Sequence, residues 1–246
     1  MKIINVLCVS LFLFVGNFVN VNGFSANSFK STLKSLKLTP NQQTFYDYLR
    51  DDEAPVVICH GLSGTGKTTI GILHALDELK KKRKDKIILT RPTVLVDSDN
   101  FGALPGNIND KMSPLLKHVM NIIGDEPNNS SNLYNIVKEN KIEIIPLEYI
   151  RGHNFKNSLL ICDESQNASN RQMKALLTRI GIGTKLIVLG DCGQSDLEGE
   201  NGLADFIDKY DNYKSHTTSN FVKKIEFTEE DIKRSDIVKE ILRIYK

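Results

Sequence analysis

The chain reads as a three-layer α/β/α protein built on a mostly parallel sheet, with a single domain over residues 39–246. Three observations predict this. Short apolar runs that suit strands buried on both faces alternate with stretches of helical periodicity. The composition, 40% hydrophobic and 25% charged, is that of an ordinary globular domain. A length of 246 residues fits one domain plus an extension better than two domains. Collagen-like, wholly disordered and multi-span membrane chains are excluded on the same grounds. Net charge is +2 from 32 basic and 30 acidic residues, which neither requires nor excludes a nucleic-acid partner.

The first segment stands apart because no acidic residue precedes Asp47. Lys2, an apolar run over residues 6–15, and Val21 and Gly23 at the −3 and −1 places of a cleavage site give residues 1–23 the anatomy of a secretory signal peptide. The run is short for a membrane span; an uncleaved anchor is the alternative. Residues 24–38 are rich in Ser and Lys and free of acids, which is transit-peptide composition. Such a two-part leader fits entry to the secretory route and onward delivery to a complex plastid, although a plain secretory leader shares its first half. Without Lys2, Lys30, Lys34 and Lys37 the body carries 28 basic against 30 acidic residues, a net −2, and no stable membrane span is expected in it. Cys8 leaves with the leader. Cys59, Cys162 and Cys192 remain, an odd number without metal-ligand spacing, and read as reduced, small buried hydrophobes.

In the body, residues 41–50 read as a short helix and 55–60 (PVVICH) as a buried strand. A glycine-rich loop fills 61–68, and a helix over 69–82 runs into the basic stretch 80–84, a solvated helix end. Further strands are expected over 86–90, 141–145, 158–162 and 185–190, with helical stretches near 111–123, 131–139 and 170–179. Residues 124–132 (GDEPNNSSN) read as a surface loop. Strands alternating with helices imply a parallel sheet covered on both faces.

Gly61, Leu62, Ser63, Gly64, Thr65, Gly66, Lys67 and Thr68 satisfy GxxxxGK[ST] in full, after a buried strand and before a helix. The glycines let the backbone wrap so that successive N–H groups face phosphate oxygens, and the following helix start, with Thr69 next in line, adds its positive end. Lys67 is suited to the β- and γ-phosphates and the Thr68 hydroxyl to Mg²⁺. The strand 158–162 ends in Asp163 and Glu164. Ligands of open α/β sheets lie beyond the carboxyl ends of strands, so both acids would reach the same site. Asp163 is suited to hold Mg²⁺, and Glu164 to orient and deprotonate an attacking water. The strand 185–190 leads to Gln194, a polar residue placed to touch the γ-phosphate. Gln42 precedes the first strand, where it could read an adenine edge or simply open a helix. The reading is therefore a P-loop NTPase, RecA-like in fold, with ATP and Mg²⁺ as cofactors.

The loop, the strand ending in DE and the strand ending in GDxxQ, in this order, resemble the first motor domain of superfamily 1 helicases. Residues 90–92 (TRP), 101–106 (FGALPG) with Lys111 and Pro114, Arg151-Gly152, residues 172–191 (QMKALLTRIGIGTKLIVLGD) and the closing 227–246 are similar to the PhoH-like ATPase family. The resemblance covers about residues 41–246. It departs from the family at FGALPG, at Arg151-Gly152-His153-Asn154 and after Pro114. It implies ATP on Gly61–Thr68, Asp163, Glu164 and Gln194, and a ring-shaped homo-oligomer. Of the eight arginines, Arg179 and Arg234 are the candidates for a finger acting across a subunit boundary, and Arg91 and Arg151 for contacts to a nucleic-acid backbone. The function expected is ATP hydrolysis coupled to RNA or single-stranded DNA. One alternative is a slow nucleotide-gated scaffold assembling a ribonuclease or ribosome-maturation complex. A small-molecule P-loop kinase fits less well, since an acceptor pocket and an Arg-rich lid are not visible.

Overall fold

The computed structural model describes residues 36–93, 119, 141–196, 199 and 201–232. Residues 1–35 of the expected leader, the helices near 111–123 and 131–139 apart from the helical, buried Val119, the loops 101–106 and 124–132, and Arg234 lie outside the described residues. Described helices are α1 (Pro40–Arg50), α2 (Lys67–Lys80), α3 (Asn170–Leu177) and α4 (Gly202–Lys214). Described strands are β1 (Val56–Gly61), β2 (Lys86–Thr90), β3 (Ile142–Ile144), β4 (Ser158–Cys162), β5 (Lys185–Gly190) and β6 (Val222–Phe227).

All six strands form one parallel sheet in the order β3-β2-β4-β5-β1-β6. The chain therefore crosses from β1 past two strand positions to reach β2, and β5 later fills the place between β1 and β4. That insertion puts the ends of β1 and β4 about 10 Å apart, two strand spacings, with the end of β5 between them. In this alternation of buried strand and covering helix the fold is the expected α/β class.

Side-chain parity divides the core. Ile58, Ile88, Leu160 and Val188 face Met173 and Leu176 of α3 and Leu203 and Ile207 of α4. The alternate residues Val57, Ile87, Leu159 and Ile187 are equally buried beneath the other layer, where α1 packs on α2 and β6. A Cβ at Gly71 of α2 would lie 3.5 Å from Leu189, ordinary contact that shows how closely this helix lies on the sheet. Phe45 of α1 meets Phe227 of β6 edge to face at 5.7 Å between centroids. Each fully buried Leu or Ile contributes about 1.5–3 kcal/mol relative to exposure.

Two elements depart from the sequence expectation. The helix α4 and the strand β6 occupy residues for which the sequence reading assigns no element, only Phe227 falling in the closing 227–246. β6 (VKKIEF) is a half-buried edge strand with Lys223 beside Asp51 and Lys224 paired with Asp211, so it lacks the continuous apolar run that marks β1, β4 and β5. α4 carries Leu203, Phe206, Ile207 and Tyr210 at helical spacing, so the signal for it is present in the sequence. The basic stretch is the expected exposed helix end: Lys81 pairs with Asp77 at 2.5 Å, and Arg83 with Glu78. Cys59 and Cys162 are buried and free; burial pushes the Cys162 thiol up to about 12. Among the described residues no helix is long and apolar enough to cross a membrane.

His74 is buried between α1 and α2, its ring 6.1 Å from that of Tyr46. Burial lowers its pKa to about 4, only partly offset by Glu78 and Asp77, with Lys185 and Arg83 acting in the same sense as burial. The unfolded chain protonates this histidine near pH 6.5, so above pH 7 it has no effect on the balance. As pH falls from 6.5 towards 4 it comes to favour the unfolded state by about 3 kcal/mol. Urea unfolding of wild type and His74→Leu at pH 5 and pH 7.5 checks this: the substitution should flatten the acid-side loss of stability, and an unchanged slope would exclude His74 as its source.

Candidate functional site

The end of β1 turns sharply into the loop. Gly61 has φ +123°, and a Cβ there would sit 2.0 Å from the carbonyl oxygen of Phe227, so β6 can lie alongside only because this residue is glycine. Gly66 opens α2 in the left-handed region at φ 89°. No side chain among the described residues caps α2, which leaves its first-turn N–H groups and the positive end of its dipole to a ligand at the loop. Lys67 Nζ donates to the carbonyls of Gly61 at 2.6 Å and Leu62 at 2.8 Å, and the Thr65 hydroxyl donates to Leu62 O at 2.7 Å. Burial lowers the Lys67 pKa, against the nearby Cys59, Asp191, Asp163 and Glu164.

β4 delivers the two carboxylates. The Asp163 N–H donates to Thr90 O at the end of β2, 3.0 Å away, which fixes the turn. Thr68 Oγ1 donates to Asp163 Oδ1 at 3.0 Å, so the hydroxyl that starts α2 and the carboxylate that ends β4 already meet. Burial, then the charge of Glu164, raise the Asp163 pKa; Thr68 and Arg91 oppose them. A hydroxyl and a carboxylate side by side are hard oxygen donors, the set that suits Mg²⁺. Glu164 is a non-glycine residue with φ 52° and ψ 39°, a left-handed conformation that costs about 1–2 kcal/mol and is held by a 3-10 turn over Ser165–Asn167. Its carboxylate accepts from Gln166 Nε2 at 2.7 Å.

β5 brings a third group, and here the carboxylate of Asp191 matters more than sequence reasoning assigned. Asp191 Oδ2 accepts the Ser63 N–H at 3.1 Å and Oδ1 the Gly193 N–H at 3.1 Å, so it shapes the loop. Gln194 follows in the same turn, its side chain exposed. Gln42 is buried at the third position of α1, where its Oε1 takes the Thr39 N–H in a capping box. Its Nε2 donates to Thr65 O at 2.9 Å and Asp231 O at 3.2 Å. Of the two readings open for Gln42, the helix start is the one this geometry displays, with a loop brace added. Asp231, unassigned from sequence, ties Thr39, Asn41 at 3.0 Å and the Thr228 N–H at 2.8 Å into that brace. A cavity of about 740 Å³ opens beside Gly61 and Leu62, walled by Asn41, Asp191, Glu226 and Thr228.

The arginines separate. Arg91 follows β2 at the carboxyl end of the sheet, close enough to Asp163 to oppose in part the rise of its carboxyl pKa, and its carbonyl accepts from the Leu147 N–H at 3.2 Å. Arg151 is exposed in the turn after the 3-10 segment Leu147–Tyr149. Arg179 follows α3, before β5 begins, which is the opposite end of the sheet from the loop; its buried Nε has no hydrogen-bond partner among the described residues. Arg179 is thus not brought to the loop of its own chain.

Comparison with known proteins bears on the family and the fold. A family described as "PhoH-like protein" matches residues 36–246. A "PhoH-like protein" of Mycobacterium tuberculosis is 32% identical over 209 residues, 84% of this chain and 56% of that protein. "Protein PhoH" of Escherichia coli is 35% identical over 202 residues, 80% of this chain and 55% of that protein. The chain therefore spans little more than half the length of these relatives. Among solved structures, the large terminase of a thermophilic bacteriophage superposes with a TM-score of 0.52 at 13% identity, covering 85% of this chain and 50% of that one, a likeness of fold. With the complete loop, the two carboxylates and a match running from residue 36 to the last residue, the chain belongs to the PhoH-like protein family.

Proposed function

We propose that the chain binds ATP with Mg²⁺ at Gly61–Thr68 and hydrolyses it, and that turnover is coupled to RNA or single-stranded DNA. The observation that carries the hydrolysis reading is the hydrogen bond of Thr68 to Asp163 between the ends of β1 and β4, with Lys67 under the electrostatic influence of both Asp163 and Glu164. The loop N–H groups and the start of α2 hold the phosphates, and Lys67 turns from the loop carbonyls to the β- and γ-oxygens. Thr68 and Asp163 would hold Mg²⁺, which when bound neutralises charge on the transferring phosphoryl group. Glu164 accepts the proton of the attacking water. The cavity beside Gly61 gives room to the nucleoside, since its carboxylates accept from hydroxyls and repel phosphate.

Coupling rests on Arg91. A backbone phosphate drawn to Arg91 displaces the end of β2, and Thr90 there holds the Asp163 N–H directly. On this reading a finger arginine comes from a neighbouring copy, with Arg179 presented at the far end of the sheet. The test is ATP turnover by the chain from Lys37 onward with Mg²⁺, with and without single-stranded RNA and DNA. Stimulation of about tenfold or more by one polymer, falling with added salt, is expected if phosphate contacts drive it. Turnover indifferent to both polymers would reject the coupling and favour a nucleotide-gated scaffold.

A further inference from the structure

Gln166 is 2% exposed, yet its carboxamide is fully engaged between the two halves of the site. Nε2 donates to Glu164 Oε2 at 2.7 Å and, more weakly, to Gln194 O at 3.4 Å, while Oε1 accepts the Asp191 N–H at 3.0 Å. The Asp191 carboxylate in turn accepts the Ser63 N–H of the phosphate loop at 3.1 Å. One chain of hydrogen bonds thus runs from the acid after β4, through Gln166, across the end of β5 and into the loop after β1. The neighbours close the same seam: Asn167 exchanges two hydrogen bonds with Asp196, at 2.7 and 2.8 Å, and Ser195 Oγ donates to Gln166 O at 3.2 Å. The fold leaves space for this contact, since a Cβ at Gly190 would lie 2.8 Å from Gln166 Oε1 and 2.6 Å from Leu203.

We propose that Gln166 is a positioning residue that sets the Glu164 carboxylate for water activation and ties that setting, through Asp191, to the conformation of the phosphate loop. The inference rests on the ATPase reading above. Glu164 stands in a left-handed backbone conformation, and its side chain has no other hydrogen bond of comparable length among the described residues. A donor held rigidly by the β5 turn therefore decides where the carboxylate points. The loop cannot move its Ser63 N–H without pulling on Asp191, and Asp191 shares Gln166 with the base. Gln166 touches neither phosphate nor water on this account and acts only through Glu164 and Asp191.

The test uses the full chain with Gln166→Met and Gln166→Glu, each alone and combined with Glu164→Gln. The Glu variant keeps an acceptor for the Asp191 N–H and removes the donor to Glu164; the Met variant removes both, and if it fails to fold the Glu variant carries the experiment. Expected are a fall in kcat of about tenfold or more in each, with ATP affinity within about threefold of wild type. In the Glu164→Gln background either substitution should change the residual rate by no more than about twofold, because a residue that works through Glu164 has nothing left to position. Equal losses in both backgrounds would make Gln166 a general structural support and overturn the proposal. An unchanged kcat in folded Gln166→Glu would overturn it alone, whereas absence of ATP turnover in wild type would overturn the ATPase reading and this proposal together.

Discussion

Replacing Glu164 by Gln should lower ATP turnover by about 10²- to 10⁴-fold while leaving nucleotide affinity within a few-fold of wild type. The expectation follows from what the substitution keeps. The carboxamide has the shape of the carboxylate, and its Oε1 can still accept from Gln166 Nε2, the 2.7 Å contact that orients the side chain. The left-handed backbone at φ 52° is no harder for Gln than for Glu. What is lost is a site for the proton of the attacking water. Removing a negative charge beside the phosphates also favours ATP binding, so any change in affinity should be towards tighter. Phosphate release under saturating ATP and Mg²⁺, with a nucleotide titration of the same preparation, reads both quantities. A rate equal to wild type would remove Glu164 as the base and leave the carboxylate as an accessory to Asp163.

The strands and the site were legible in the sequence to different depths. β1, β4 and β5 are covered on both faces, so each appears as a continuous apolar run, and their limits were readable to within a residue. β6 is covered less completely and keeps Lys223, Lys224 and Glu226, so the same rule fails for it. Within the site, the groups that would meet ATP sit in a spaced motif and could be found by type and order. Gln166, Asp191 and Asp231 act on protein atoms, and even the place of Asp191 in GDxxQ does not reveal which atoms those are. Gln166 reaches a partner 25 positions away and Asp231 one 190 away, and only the strand order brings such partners together. Gln42 shows the converse limit: its position at a helix start was visible, but its hold on Thr65 O depends on where α1 docks. Arg179 was singled out as a finger, although its place between the expected helix near 170–179 and the strand 185–190 already put it at the amino end of β5.

Lys67→Ala should weaken ATP binding about 10- to 100-fold, the equivalent of one charge-assisted hydrogen bond to phosphate. The lysine is suited to this because its resting contacts are exchangeable: among the described residues Nζ is held by the Gly61 and Leu62 carbonyls and a 3.5 Å contact to Thr65. Burial depresses its pKa, which means that the folded chain without nucleotide holds the ammonium at a cost, relieved when phosphate arrives. Two consequences separate this from a structural role. The alanine variant should unfold at a temperature equal to or above that of the wild type when ATP is absent, since a buried charge has been removed. It should also lose most of the thermal stabilisation that ATP and Mg²⁺ confer on the wild type, because that gain follows ligand affinity by mass action. Calorimetric titration together with melting curves at several ATP concentrations measures both. Full affinity in the variant would mean that the loop is not the nucleotide site, whereas a variant that melts much lower without ATP would show Lys67 holding the loop together through those two carbonyls.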